Sequence, residues 1–156
     1  MELKIYTDGA CSGNPGKGGC AAIIIYPNKE IKEVSFSENN TTNQRMEIKG
    51  ILIAIQEIMS NSLEENMVIN IYSDSAYVCN CINQKWYKNW INNGWKNSKK
   101  EPVKNKDLWE ILFEKYFTLS KKHKINFIKV KGHSDDIMNQ RADKLAVSAR
   151  EGGSNA

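Results

Sequence analysis

Two short segments of the chain carry the same pattern: an apolar stretch, a hydroxyl residue and an aspartate. They are "IYTDG", which contains Asp8, and "IYSDS", which contains Asp74. Because side chains alternate between the faces of a strand, Tyr6 shares a face with Asp8, and Tyr72 shares one with Asp74. We expect each aspartate to end its strand. If the two strands are adjacent and parallel, both carboxylates lie at the carboxyl edge of the sheet, where open α/β sheets bind ligands.

Two adjacent carboxylates repel each other, so their proximity requires a shared proton or a bound cation. For either aspartate alone, a turn residue or a helix N-cap is the better explanation, but two matched copies favour a site. Two further acids point the same way: Glu47, expected in the first turn of a long helix, and Asp143, near the start of the last helix. Each of these could instead be a solvated helix charge. Together the four acids offer the oxygen ligands that suit Mg²⁺ or Mn²⁺, although residue chemistry alone does not select them from the 18 acids present.

The segment 84–106 combines lysines with tryptophans, and Glu101 is the first acid in it. Basic residues interleaved with aromatic ones are typical of nucleic-acid binding, since lysines neutralise phosphates and rings pack on sugars or bases. A solvated lysine-rich loop is the alternative, and some tryptophans could simply pack this segment onto the core. The residues concerned are Lys85, Trp86, Lys88, Trp90, Trp95, Lys96, Lys99, Lys100, Lys104 and Lys106.

The elements that must position these residues follow from periodicity and turn signals. Three apolar segments separated by turn residues predict three antiparallel strands, and a fourth and a fifth strand follow later. Thr42 or Asn43 can cap the first helix, in which apolar residues recur at helical spacing. The order βββαβααβα, with one interrupted helix after the fourth strand, predicts an α/β fold: a five-stranded mixed sheet with helices on both faces. The segments, in order, are "LKIYTDG", "GCAAIIIYP", "IKEVSFS", "NQRMEIKGILIAIQEIM", "NMVINIYSD", "SAYVCNCINQKWYKNWINN", "NKDLWEILFEKYFTLSKKH", "KINFIKVKG" and "NQRADKLAVSAR".

Length and composition bound the class of protein. A chain of 156 residues is the usual size of one domain, and we assign 1–150 to that domain and 151–156 to a flexible tail. The formal charge of +4 is weak evidence for an anionic partner. The longest apolar run, "CAAIIIY", is too short to span a membrane, and no signal peptide is expected because Met1 runs into the first apolar stretch. Four cysteines without zinc spacing indicate reduced thiols, so we predict a cytoplasmic protein. We also expect a monomer with no membrane partner.

Five segments, in order and at suitable spacing, resemble the successive motifs of type 1 ribonuclease H. The resemblance extends from Leu3 to Ala149, and five separated motifs make it specific. It implies a five-stranded mixed sheet with helices on both faces, and cleavage of the RNA strand of an RNA–DNA hybrid. The segments are "YTDGACSGNPGKGG", "TTNQRMEI", "IYSDSAYV", "GWKNSKKEPVKNKDLW" and "VKGHSDDIMNQRADKLA".

The resemblance assigns the metal ligands to Asp8, Glu47, Asp74 and Asp143, and an auxiliary catalytic histidine to His133. It implies two Mg²⁺ ions, for which Mn²⁺ can substitute, about 4 Å apart at the scissile phosphate. One ion would activate a water and the other would stabilise the leaving 3′-oxygen. The implied products are a 5′-phosphate and a 3′-hydroxyl.

The resemblance also implies a set of hybrid-contacting residues. Thr42 and Asn105 would hold a phosphate of the DNA strand, whereas Asn14 and Asn43 would read the minor groove and the 2′-hydroxyls that distinguish RNA from DNA. Three positions depart from the family pattern: Gln44 stands where an asparagine is frequent, Asn40 where an arginine is frequent, and Ala76 where a glutamine is frequent. These departures predict a less basic DNA-strand pocket and lower affinity, with the chemistry unchanged. The full implied set is Asn14, Thr42, Asn43, Gln44, Trp86, Trp90, Lys96, Lys99, Lys100 and Asn105.

Two other functions remain open at this point. Junction resolvases and integrases use clustered acids on the same fold, but they are not expected to carry "KGHSDDIMNQRADK" together with a basic, tryptophan-rich segment. A non-catalytic hybrid-binding module would be expected to lack at least one metal ligand, and all four are present. Degradation of the RNA strand that depends on magnesium would separate these functions.

Overall fold

The computed structural model describes residues 1–61, 63–97, 99–131 and 136–152, and within these ranges it contains five strands and five helices. The predicted order of elements is confirmed, and the interrupted helix proves to be two helices, α2 and α3. The elements are β1 (Glu2–Gly13), β2 (Gly16–Ile25), β3 (Ile31–Thr41), α1 (Asn43–Met59), β4 (Val68–Ser73), α2 (Ala76–Asn83), α3 (Trp86–Asn92), α4 (Lys106–Ser120), β5 (Lys124–Lys129) and α5 (Ile137–Gly152).

The five strands form one mixed sheet in the order β3-β2-β1-β4-β5. The first three strands pair antiparallel, because short turns join them, whereas β4 adds parallel to β1 and β5 adds parallel to β4. The register between β1 and β4 pairs Lys4 with Asn70 and Tyr6 with Tyr72. The prediction that the two matched segments are adjacent and parallel is therefore confirmed.

Alternate residues of β1 bury against different layers of helices. Leu3 and Ile5 belong to the main core with α1 and α4, where Trp109 is fully buried. Tyr6 points the other way and packs with Ala142 of α5. The helices thus cover both faces of the sheet, as predicted, and β1 lies between the two layers.

Two glycines let helices approach the strands closely. A Cβ on Gly9 would lie 2.6 Å from the backbone carbonyl carbon of Met46 in α1, and a Cβ on Gly19 would lie 2.5 Å from the carbonyl oxygen of Ala146 in α5. Any other residue would force these helices away from the sheet. Gly9 directly follows Asp8, so this close approach also brings the start of α1 to the predicted site.

The boundaries differ from the predicted ones at two places. The interruption falls at Lys85, whose φ of 58° ends the run of helical backbone before α3 begins. The last helix begins at Ile137, two residues before the predicted start, and it continues through Glu151 and Gly152, which the sequence analysis assigned to the tail. Residues 153–156 lie outside the described ranges. Among the helices that are described, none is long and apolar enough to cross a membrane.

Candidate active site

The paired part of β1 and β4 ends immediately before the two aspartates. The last pair is Tyr6 with Tyr72, after which β4 ends at Ser73. β1 instead continues, paired with β2, as far as Gly13. The prediction that each aspartate ends its strand is therefore confirmed for Asp74, which directly follows β4, and wrong for Asp8. The reason is that β2 continues to satisfy the backbone of β1 after β4 has ended.

Three carboxylates meet at this point. One oxygen from each of Asp8, Glu47 and Asp74 lies within 4.8 Å of the others. Glu47 is the fifth residue of α1, so the prediction that it lies in the first turn is wrong. Thr42 is the N-cap of α1, since its side chain accepts from the backbone N–H of Arg45, and Glu47 consequently falls in the second turn. Asp143 is not within this group of three, but it lies within hydrogen-bonding reach of Asp8.

The site holds more negative charge than its surroundings neutralise. Burial, a hydrogen bond with Asp143 and the charge of Asp74 raise the pKa of Asp8 to about 8. Burial, followed by the charge of Asp8, also raises the pKa of Glu47 well above its usual value. The Glu47 Oε2 atom is buried and has no hydrogen-bond partner among the described residues. Of the ion pairs formed within the described ranges, none involves Asp8, Glu47, Asp74 or Asp143.

These observations fit a divalent cation. Oxygens bound to one Mg²⁺ at about 2.1 Å are at most about 4.2 Å apart, so three oxygens within 4.8 Å of one another are near the spacing that an ion requires. A cation would also give the unpartnered Glu47 oxygen a ligand role and favour the charged forms of Asp8 and Glu47. The arrangement is therefore suited to hold a metal with carboxylate oxygens.

The predicted hybrid-contacting residues of the first turn and of α1 lie close together. The Asn14 Oδ1 atom accepts from the backbone N–H of Asn43 at 3.1 Å, which joins the β1–β2 turn to the start of α1. Gln44 follows on the exposed side of this helix. One continuous segment of the chain therefore carries Thr42, Asn43 and Gln44, and a hydrogen bond joins Asn14 to it.

The tryptophan-rich segment packs onto the core through its rings. The Trp90 ring lies 6.0 Å from that of Trp109, and the Trp95 ring lies 6.4 Å from that of Phe113. Trp86 and Trp90 line a groove of about 520 Å³ that also contains Lys96. The alternative that tryptophans pack this segment onto the core is thus confirmed. The three predicted contact lysines are exposed: Lys96, Lys99 and Lys100.

His133 lies outside the described residues, so its predicted role stays a prediction. The structure also identifies residues near the predicted site that the sequence analysis missed. Arg45 contacts both Asn105 and Asp107, and Tyr77 contacts Asn105. The capping pattern at Thr42 signals the backbone position of Arg45, but nothing local in the sequence signals a side-chain partner 62 residues away.

With this geometry established, comparison with known proteins decides the family. The RNase H family model matches residues 1–151. The chain belongs to the ribonuclease H family. Its relatives include a protein named Ribonuclease H from Syntrophomonas wolfei, 49% identical over 148 residues, which covers 95% of each chain. Another Ribonuclease H, from Acetivibrio thermocellus, is 52% identical over 146 residues, covering 94% of this chain and 92% of the relative.

Solved structures of the family share the fold. LC9-RNase H1, described as a type 1 RNase H with the type 2 active-site motif, superposes with a TM-score of 0.82 at 26% identity, covering 98% of this chain and 74% of the other. LC11-RNase H1, solved in complex with an RNA/DNA hybrid, superposes with a TM-score of 0.71 at 23% identity, covering 96% of each chain. The sheet order and the packing of helices on both faces are those of the ribonuclease H fold, as the sequence analysis expected.

Proposed function

We propose that this member of the ribonuclease H family hydrolyses the RNA strand of RNA–DNA hybrids with divalent cations held by Asp8, Glu47, Asp74 and Asp143. The observation that carries the proposal is the convergence of three carboxylates within 4.8 Å, one of which has a buried oxygen without a partner among the described residues. Mg²⁺ is the proposed ion, because it prefers carboxylate oxygens and is commonly bound where phosphates react. When bound, such ions supply Lewis-acid stabilisation of phosphate charge and a nucleophilic water at neutral pH.

The carboxylates of this chain would create the anionic site and hold the ions in place. Asp8 and Asp74 come from neighbouring parallel segments, so their backbone separation is set by the sheet. Glu47 comes from α1, which Thr42 caps and which lies close to β1 because Gly9 has no side chain. The position of Glu47 relative to the two aspartates is therefore set by the packing of α1 on β1. Without metal, the raised pKa of Asp8 means that a proton is shared in this cluster near neutral pH. Metal binding would displace that proton.

The surrounding residues would bind and orient the hybrid. Asn14 and Asn43 are joined by a hydrogen bond and would contact the minor groove, where 2′-hydroxyls distinguish RNA from DNA. Thr42 and Asn105 would hold a DNA-strand phosphate, and the exposed Lys96, Lys99 and Lys100 would neutralise further phosphates. The hybrid complex of LC11-RNase H1, which has the same fold, supports this class of substrate.

Three finer points remain proposals of the same kind. His133 would move a proton at the leaving 3′-oxygen or help the product phosphate to leave, which follows from the family resemblance. Gln44 would occupy the position of a minor-groove asparagine with a longer amide. We expect the protein to act as a monomer in the cytoplasm.

The proposal is tested with two hybrids, one labelled on the RNA strand and one on the DNA strand. Wild-type protein with Mg²⁺ should degrade only the RNA label, and EDTA should stop the reaction. Asp8→Asn should lose cleavage while it retains hybrid binding, because it removes a metal ligand and no hybrid-contacting group. Glu65→Gln, which changes an exposed carboxyl outside the acidic cluster, is the matched control and should cleave normally. Cleavage in EDTA, or near-normal turnover by Asp8→Asn, would refute the metal assignment.

A further inference from the structure

Arg45 joins the start of α1 to the start of α4. Its guanidinium forms two hydrogen bonds to the carboxylate of Asp107, at 2.9 Å from Nη1 and 2.6 Å from Nη2. Nη1 also donates to the Asn105 Oδ1 atom at 3.4 Å. A two-point ion pair fixes the plane of a guanidinium, so Asp107 determines where Arg45 can donate next. The pKa of Asp107 is lowered chiefly by this hydrogen bond from Arg45.

The backbone of Arg45 bonds to Thr42, which is the other residue of the predicted phosphate pocket. The Arg45 N–H donates to the Thr42 hydroxyl oxygen at 3.2 Å. One residue therefore occupies an acceptor atom of Thr42 through its backbone and the acceptor atom of Asn105 through its side chain. Thr42 still has its hydroxyl proton, and no hydrogen bond within the described ranges uses it. A hydroxyl oxygen that accepts one hydrogen bond keeps its own O–H proton available for a further acceptor.

The Asn105 side chain bonds to Arg45 and Tyr77 and does not cap its own helix. Asparagine at an N-cap ordinarily bonds the first backbone N–H groups of the helix, but Asn105 makes no side-chain cap bond to α4. Its amide oxygen is directed to Arg45, and its amide nitrogen donates to the Tyr77 hydroxyl at 3.3 Å. Tyr77 is itself fixed, because its hydroxyl accepts from Trp109 Nε1 at 3.0 Å. A carboxamide has two N–H donors, so one remains after the bond to Tyr77.

Each of these two side chains accepts a hydrogen bond from Arg45 and keeps a donor available. A phosphodiester presents only acceptor oxygens, so these donors match a phosphate. The alternative is that Arg45 and Asp107 merely tie two helices together. That alternative explains the ion pair but not the third bond, from Nη1 to the Asn105 Oδ1 atom.

We propose that Arg45 is a positioning residue: it turns the donors of Thr42 and Asn105 toward a phosphate of the DNA strand, and Asp107 holds it in that orientation. The inference rests on the proposed hydrolysis of hybrids. It also gives this chain a way to build the pocket although Asn40 stands where the family often has an arginine. Arg45 acts through the two neighbouring side chains, and its own charge is largely committed to Asp107.

The test uses hybrids in which one DNA phosphate at a time is replaced by a neutral methylphosphonate. Wild-type protein should show a raised KM at one particular DNA position, because that phosphate loses its charge-assisted bonds. Arg45→Lys and Asp107→Asn should raise KM about tenfold on the unmodified hybrid, with kcat changed less than about twofold, since the interaction that is removed is made equally in the ground and transition states. In both variants the methylphosphonate penalty at that position should largely disappear.

Glu33→Gln is the matched control, because it breaks another ion pair that links two elements, with Arg141 of α5 at 2.7 Å. It should leave KM and the methylphosphonate profile unchanged. If Arg45→Lys does not fold, as judged by circular dichroism, Asp107→Asn decides, because it keeps the arginine. An unchanged KM, or a raised KM with the penalty retained, would show a purely structural tether and overturn the inference. Failure of wild-type protein to cleave any hybrid would instead refute the proposed function.

Discussion

Tyr6 and Tyr72 stack face to face, with ring centroids 4.5 Å apart and planes that differ by 11°. They form the last pair of the parallel ladder between β1 and β4. Each precedes an acid of the candidate site by two residues, Asp8 in one case and Asp74 in the other. The stack therefore packs the two segments together at the point where the ladder ends, directly before the carboxylates that must converge on a cation.

The tyrosine stack should control metal affinity as well as stability. Replacing Tyr72 by leucine removes the ring pair, which contributes about 0.5–1.5 kcal/mol beyond area burial. We expect a comparable decrease in the free energy of unfolding, and a several-fold increase in the Mg²⁺ concentration that gives half-maximal cleavage, because Asp74 is held less firmly. Urea unfolding and an Mg²⁺ titration of the cleavage rate measure the two effects. Tyr116→Leu, which removes a ring pair with Phe127 at 5.7 Å, should destabilise the protein without changing the Mg²⁺ requirement; an equal Mg²⁺ shift in both variants would contradict the prediction.

The metal-free protein should lose stability as the pH rises from about 4 to about 8. The pKa of Asp8 is about 8 in the folded protein and 3.8 ordinarily, so the folded state binds this proton more tightly than the unfolded state does. Its contribution is fully present below pH 3.8 and is lost as the pH passes through 8, and Glu47 shifts in the same direction. Urea unfolding in EDTA at pH 5 and pH 9 should show the smaller free energy of unfolding at pH 9.

Two comparisons identify Asp8 as a source of this pH dependence. Asp8→Asn should unfold at a higher urea concentration than wild type at pH 9, because the buried charge is absent, and the difference should shrink at pH 5. Added Mg²⁺ should stabilise wild type at pH 9 and affect Asp8→Asn much less, since binding to the folded state alone stabilises it. Equal pH dependence in wild type and variant would show that Asp8 titrates normally.

The exposed lysines of the tryptophan-rich segment should bind the hybrid equally well in the ground state and in the transition state. Changing Lys96, Lys99 and Lys100 together to glutamine should raise KM more than it lowers kcat, because we expect these charges to contact phosphates other than the reacting one. The slope of log affinity against log salt should flatten by about 0.9 for each phosphate of a B-like duplex that the variant no longer neutralises. The control replaces Lys121, Lys122 and Lys124, which are exposed beyond the other end of α4. Identical salt slopes for the two triple variants would assign the first three lysines to solvation alone.

His133 should assist turnover without being required for it. General acid–base assistance is typically about 10²–10⁴-fold, so His133→Ala should slow steady-state cleavage by about 10²-fold or more and leave a residual rate that still depends on Mg²⁺. If product release is the main role, single-turnover cleavage should be affected less than steady-state cleavage. His123→Ala is the matched control, because the His123 ring accepts a hydrogen bond from the Met67 N–H and should affect stability, not rate. Wild-type rates for His133→Ala in both assays would remove it from the mechanism.

Much of the fold was predictable because its signals are local. Strand alternation and turn residues located β1 to β3, and the matched segments predicted the parallel pairing of β1 with β4. The capping pattern placed the start of α1 at Thr42 or Asn43, and the structure selects Thr42. The length of β1 was less predictable, since its last residues are held by β2 after β4 has ended. Because of that long-range pairing, Asp8 lies inside β1 and not at its end.

The sequence by itself determined which acids are available and the order of the elements, because periodicity and capping are local properties of the chain. The matched pattern of the two aspartate-bearing segments favoured their pairing, which the tertiary structure then decided. Only the tertiary structure decided that Asp8, Glu47 and Asp74 form a group within 4.8 Å while Asp143 contacts Asp8 from outside it. It also decided that Arg45 reaches Asn105 and Asp107, 60 and 62 residues along the chain. These relationships depend on how closely α1 approaches β1 and α4. Side-chain packing and backbone clearance at residues such as Gly9 set that distance, and no spacing in the sequence encodes it.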